Sequence, residues 1–314
     1  MSASLSPTSG PSTCTCCSCC ESATRRPSRR LADSMDLVLQ AGRDALHSLP
    51  LFFAMTAVFA FAERCWPAGP LKSLKGWILN AGVTFLYIFV PVTIAGITGA
   101  LLVAASEHTG LGWIDLRPRY HSGFLGAALT TLIWVAVFDF FYYWWHRLQH
   151  EHPFFWRIHK LHHIDPELGV STNYRHHWLE DVFRVPFVIL PMAILFKLEP
   201  AIAFVLVFWT VFIHANLRLY LGPLARVVAG PQLHRVHHSR LPQHFDRNYA
   251  AFLPIYDQLF GSYYHPSRDE FPPTGVSGEP EMTSIREAAL LPFRTPRSPW
   301  VSGKEMAKRH GLQR

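Results

Sequence analysis

Charge is scarce in this 314-residue chain: Asp, Glu, Lys and Arg together make up 16% of it, against about 25% in an ordinary soluble domain. The deficit is concentrated in long windows that carry almost no charge, and mean hydropathy is positive at +0.12. Those windows are therefore not the surface of a conventional soluble domain. No nucleic-acid reading module can be recognised. The net charge of +7 and pI of about 9.2 come from basic residues that flank apolar spans rather than forming one dense stripe. That arrangement favours a membrane and argues against nucleic acid as partner. There is no G-x-G-x-x-G fingerprint and no iron–sulfur cysteine pattern, so the chain carries no recognisable electron-delivery module of its own.

Cysteine is confined as well. Five of six lie in Cys14-Thr-Cys16-Cys17-Ser-Cys19-Cys20, and only Cys65 falls in the hydrophobic part. The N-terminal group has C-x-x-C spacing, but its Ser/Thr/Pro/Arg-rich surroundings offer no core to fold on. Residues 1–45 are expected to be a disordered extension, with Met35 as an alternative start; structured zinc binding there is the competing reading. Residues 1–34 lack the apolar middle of a signal peptide.

Four apolar regions follow: Leu49 to Ala62, Trp77 to Ala105 (interrupted by Pro91), Phe124 to Trp145, and Val185 to Ile213 (split by Glu199-Pro200). The third is long enough to cross a hydrocarbon layer of about 30 Å and ends in Phe-Tyr-Tyr-Trp-Trp, an interfacial aromatic belt. Each half of the fourth is too short to cross alone, which predicts a hairpin turning near Pro200. The expected organisation is N-terminal transmembrane helices over 46–123, a catalytic region over 124–265 and a peripheral tail over 266–314, with one short helix near Ser284–Leu291. Arg147, Arg157, Lys160, Arg175, Arg184, Arg218, Arg226 and Arg235 share the side on which the polar segments emerge, which the positive-inside rule assigns to the cytoplasm.

Three histidine clusters sit just beyond the apolar stretches: His146-x3-His150, His159-x2-His162-His163 and His234-x2-His237-His238. Imidazoles three or four apart share a helix face and can converge on one small volume. Neutral imidazole suits Zn, Fe, Cu and Ni alike, but eight ligands exceed the three or four of one zinc site and suit two metals. If all serve one centre, they must meet on one face of the membrane. His177 and His214 are further ligand candidates; His152, His176, His244 and His265 are weaker. Asp139 is a carboxylate within an apolar span, two helical turns before His146. It is read either as a helix–helix contact or as an acceptor orienting a ligating imidazole. Glu180, Asp181 and Asp246 could orient imidazoles from loop positions.

These residues resemble the fatty acid hydroxylase/sterol desaturase superfamily of integral-membrane di-iron oxygenases. The three boxes carry the resemblance, together with Asp139-x6-His146-Arg147, Arg175-His-His177-Trp-Leu-Glu180, His214-Ala-Asn216, Asp246-Arg-Asn248-Tyr249 and Leu259-Phe-Gly261-Ser-Tyr263. They cover roughly residues 124–264. Trp178, Ala250 and Tyr256 depart from the family's usual proline, glycine and tryptophan, and none is a ligand candidate. The resemblance implies an all-α, polytopic membrane bundle with a cytosolic helical cap over a histidine-rich two-metal site. It adds His177 and His214 to the ligands, and Asn248 to Asp139, Glu180 and Asp246 as supporting residues. It further implies two iron ions, O2, a lipid substrate (fatty acyl chain, sterol, aminolipid or ether lipid) hydroxylated or desaturated at an unactivated C–H bond, and electrons from a ferredoxin or cytochrome with its reductase. The expected location is a bacterial inner membrane or the endoplasmic reticulum, with the active site on the cytoplasmic side. Two other classes compete. A membrane zinc hydrolase needs a general base such as the glutamate of H-E-x-x-H, and none lies inside these boxes. A metal transporter or binding protein places its ligands near the bilayer midplane, whereas these lie beyond the apolar spans.

Overall fold

The computed structural model describes residue 43 and residues 50–87, 112–197 and 200–294. The expected N-terminal extension (apart from residue 43), most of the second apolar run beyond residue 87 and the last twenty residues lie outside the described part. Among the described residues the chain is helical, and its only β features are isolated bridges: Pro67 with Leu217, Ile114 with Phe196 and Ser239 with Thr274.

Helix α1 covers 50–65 and α2 covers Leu74–Tyr87. After a short turn, Arg117–Tyr120, α3 runs unbroken over 28 residues, Phe124–Glu151. It contains no proline, and at 1.5 Å per residue it is about 42 Å long. Among the described residues it is the one helix long and apolar enough to cross a membrane. A crossing of about 30 Å uses some twenty residues. The surplus carries His146 and His150 beyond the apolar stretch on the same rod. In the first half of α3, Phe124, Leu125, Leu129 and Leu132 are exposed.

Proline then sets the corner. The residue before a proline is pushed out of the helical region, and His152 accordingly takes φ −113°, ψ 124°. Pro153 opens α4, Pro153–His163, from the first-turn position that tolerates a missing N–H, and His152 Nδ1 caps it by accepting from Phe154 N. The second box is thus folded back beside the first.

The fourth apolar region goes out and returns. It is entered from α5, Trp178–Arg184, begins as a π turn, Val185–Ile189, and continues as α6, Leu190–Leu195. The π turn has a local cause: Pro186 and Pro191 have no N–H to give, and Leu190 N donates instead to Val185 O, five residues back. Phe196 leaves the helical region at φ −121°, and α7, Pro200–His214, comes back. Glu180 near one end and His214 at the other both reach the second histidine box, through His159 and His162. Both ends of the expected hairpin therefore meet on one side.

Three short helices complete the framework: α8, Pro231–His237, α9, Ile255–Phe260, and α10, Ile285–Leu290. Pro231 opens α8 as Pro153 opens α4. One apolar core gathers Trp134, Val135, Met192, Phe196, Ile213, Leu233 and Phe252 from α3, α6, α7, α8 and the loop before α9. Another joins Val83 of α2 and Leu161 of α4 to Met282, Ala288 and Leu291. Residues 266–294, expected as part of a peripheral tail, are thus packed into the body. The tail reading followed its Pro, Ser and charge content and overlooked these spaced apolar residues.

Candidate metal centre

The three boxes and His214 converge into two adjacent nests of buried imidazoles. In the first, one ring nitrogen from each of His146, His150, His159, His163 and His237 lies within 4.8 Å of every other; in the second the same holds for His162, His214, His234 and His238. The nests adjoin through His163 and His238, whose rings stack at 4.2 Å, and through His234 and His237, stacked at 5.2 Å. All nine side chains are buried.

Hydrogen bonds at the outer nitrogens fix several tautomers. His146 Nδ1 lies 2.7 Å from the Tyr249 carbonyl and His237 Nδ1 2.9 Å from the Arg247 carbonyl. A carbonyl can only accept, so each Nδ1 carries its proton and each Nε2 is a bare lone pair. His159 Nδ1 donates in the same way to the Glu180 carboxylate at 3.0 Å. In the five-histidine nest three bare lone pairs therefore converge. His146 Nε2 faces His159 Nε2 at 3.2 Å, with no proton to share between them. His150 Nε2 and His237 Nε2 are buried without a hydrogen-bond partner. In the four-histidine nest, His214 Nδ1 donates to Thr210 O, leaving Nε2 bare at 2.9 Å from both His162 Nε2 and His234 Nε2.

Such a donor set calls for a cation. With metal–nitrogen bonds of about 2.1 Å, neighbouring ligand atoms in a right-angled coordination shell stand about 3 Å apart, the spacing seen here. Protons are a poor substitute. Burial and the neighbouring imidazoles hold His162, His163, His234 and His238 well below the usual histidine range, and burial holds His237 down to about 3. All are neutral imidazoles at pH 7.

The supporting groups differ from expectation in instructive ways. Glu180 Oε2 accepts from Gln149 Nε2 at 2.8 Å and His159 Nδ1, and lies 3.2 Å from His176 Nδ1. Burial alone would raise its pKa, but His176 and His159 outweigh burial and hold it well below the usual carboxylate range. Asp139 touches backbone rather than an imidazole: Oδ1 accepts from Ala251 N, and Oδ2 from Phe252 N and Leu253 N at 3.1 and 2.6 Å. Asn248 closes a turn, accepting from Tyr264 N and donating to Tyr264 O. With Asp246 it supplies two consecutive-but-one left-handed residues, φ 57° and 58°, a conformation Asp and Asn tolerate.

His177, expected among the ligands, is placed elsewhere. Its Nδ1 caps α5 by accepting from Leu179 N, its Nε2 bonds Ala289 O at 3.3 Å, and its ring packs on Tyr87. It is committed to helix capping. Its neighbour His176, set aside as weaker, instead stacks on His162 at 4.2 Å beside Glu180. Two contributors were not among the supporting residues expected from the sequence. Asp257 accepts from Tyr249 N and Ala250 N. Glu63 accepts from Val170 N and Asn216 N, fixing the backbone just after His214.

The described residues thus form a helical protein built around nine buried histidines in two groups, each of which could hold a metal ion. Residues 131–262 match the family described as fatty acid hydroxylase. This match and the relatives below support the fatty acid hydroxylase superfamily, and the chain is an oxidoreductase. It is 29% identical over 239 residues to the ornithine lipid hydroxylase of Rhizobium tropici, covering 73% of this chain and 70% of that one. It is 37% identical over 132 residues to the alkylglycerol monooxygenase of Xenopus tropicalis, covering 40% of this chain but 28% of that protein. A very-long-chain aldehyde decarbonylase of Oryza sativa shares 27% over 174 residues, 27% of its own length. The chain thus spans under a third of the latter two relatives. No solved structure matches.

Proposed function

We propose that the protein is a multi-pass membrane hydroxylase that inserts one oxygen from O2 into an unactivated C–H bond of a membrane lipid. The carrying observation is the convergence of bare Nε2 lone pairs on two adjacent points at the polar end of a membrane-length helix. His146, His150, His159, His163 and His237 would hold one iron, and His162, His214, His234 and His238 the other. When bound, the two ions supply the binding and reduction of O2 and the oxidant for the C–H bond.

The chain's own residues do the rest. The Tyr249 and Arg247 carbonyls and Glu180 keep protons on the outer nitrogens of His146, His237 and His159, so their inner nitrogens stay free to bind metal. Burial of all nine rings excludes water from the reacting volume. An apolar cavity of about 400 Å³, lined by Ala127, Ala128, Thr131, Val135, Trp209 and Phe252 among others, lies on the apolar stretch of α3 and would receive the alkyl chain. The exposed apolar side chains of α3 face lipid in this reading. Lys160, Arg175 and Arg235 are buried, but the exposed Arg157, Arg218 and Arg226 would face the cytoplasm, where a ferredoxin or cytochrome with its reductase would deliver two electrons per turnover.

The relative matched over most of its length acts on ornithine lipid by name, so an amino-acid-containing membrane lipid is the first substrate to try, and hydroxylation is favoured over desaturation. Metal analysis of the purified protein should find about two irons per chain. Lipid profiles of cells with and without it should differ by one oxygen in a single lipid class. His163→Ala and His238→Ala should each abolish that difference while the protein still inserts. Zinc as the activity-supporting metal, or full activity in either variant, would overturn the reading.

A further inference from the structure

Five consecutive backbone N–H groups, Tyr249 to Leu253, are gripped by two buried carboxylates. Asp257 Oδ1 takes Tyr249 N at 2.7 Å and Oδ2 takes Ala250 N at 3.0 Å; Asp139 takes the next three. The important pair shares one peptide unit. The amide whose carbonyl, Tyr249 O, accepts from His146 Nδ1 at 2.7 Å is the same amide whose N–H, on Ala250, points at Asp257. A carboxylate on the N–H end of an amide pushes electron density toward its oxygen and strengthens the bond accepted there, the cooperative effect of chained hydrogen bonds. We infer that Asp257, the 249–250 peptide and His146 form a relay that makes His146 a stronger metal donor, as a directly bonded carboxylate would. Asp257 is a positioning residue that acts through the peptide.

The inference rests on the two-metal reading and sharpens it, because the nests are not supported alike. Behind the five-histidine nest stand two carboxylates, Glu180 directly on His159 and Asp257 by relay on His146. In the four-histidine nest the outer nitrogen of His214 meets the Thr210 carbonyl of its own helix, and His162 Nδ1 and His238 Nδ1 are buried without partners. The five-histidine position is therefore the more electron-rich and binds its ion more tightly. Asp257 is also tethered from a side the relay does not use. Ser262 Oγ donates to Asp257 Oδ1 at 2.6 Å and bonds Tyr143 OH at 2.8 Å, three residues before His146 on α3.

Co2+ binding to the full-length apoprotein, read by its visible absorption and by competition with a chelator, tests this without substrate or oxygen. The wild type should bind two ions. Asp257→Asn, which puts an amide N–H against a backbone N–H and removes the charge, should weaken one ion about tenfold and leave the other unchanged. Asp257→Glu should retain most of that affinity, and Ser262→Ala, which loosens the tether but keeps the relay, should match wild type. Should Asp257→Asn not fold, Asp257→Ala carries the same criterion. Equal weakening of both ions, the same loss in Ser262→Ala, or no loss at all would reduce Asp257 to a loop anchor. A wild-type chain that binds fewer than two Co2+ would instead overturn the two-metal reading itself.

Discussion

Acidification of the metal-free protein should unfold it well above the pH at which ordinary proteins acid-denature. His162, His163, His234 and His238 are held well below the usual histidine range and His237 at about 3, in each case foremost by burial. A depressed folded-state value means that the unfolded chain binds the proton first. Stability is therefore complete above about pH 6.5, the unfolded histidine value, and is lost as pH falls from there toward the folded values. At pH 5.5 each such histidine contributes a loss on the order of 1 kcal/mol, so together they contribute several kcal/mol. That rivals the whole stability of a typical domain, about 5–15 kcal/mol. Thermal unfolding of the apoprotein in detergent should show a midpoint lower by on the order of 15 °C at pH 5.5 than at pH 7.5. Metal-loaded protein should resist to lower pH, because bound ions compete with the protons. An apoprotein midpoint that stays constant to a few degrees over this range would refute the neutral, converging arrangement of lone pairs.

Three further outcomes follow from the contacts. Glu180→Gln removes the charge that holds the protons of His159 and His176, and should lower metal affinity about 10- to 100-fold, measured by chelator competition, with helix content unchanged by circular dichroism. Asp139→Asn sets an amide against one of three buried backbone N–H groups and should destabilise by about 1–3 kcal/mol, seen as a lower unfolding midpoint. His177→Asn keeps a good helix-capping side chain, so metal stoichiometry should stay at the wild-type value and stability should change by about 1 kcal/mol or less. Loss of an ion in that variant would return His177 to the ligand set.

The local parts of this architecture were legible in the residues. The four-residue offset of His146 and His150 on an unbroken apolar run places both on one helix face, and Pro153 announces the corner that brings the second box alongside. The shortness of the halves around Pro200 predicted the return that delivers His214. What could not be read were roles made by backbone groups far away in sequence. Asp139 looked like a partner for an imidazole because it shares a helix face with His146, yet its acceptors are taken by N–H groups more than a hundred residues on. Asp257 and Glu63 work in the same way. The choice between His176 and His177 was equally hidden. Adjacent residues at a helix start point in different directions, and only the capping bond to Leu179 N decides which one turns inward.

The unbroken course of α3 has a mechanical consequence. The same rod that would sit in the bilayer also bears His146 and His150, with no hinge, glycine or loop between its apolar stretch and the centre. The height of the histidine nests above the hydrocarbon is then set by helical rise, like a mark on a dipstick, and any tilt of the rod moves the nests with it. A bilayer a few ångströms thicker or thinner would present a different depth of the lipid to the centre. The position oxidised would accordingly depend on the membrane as well as on the protein.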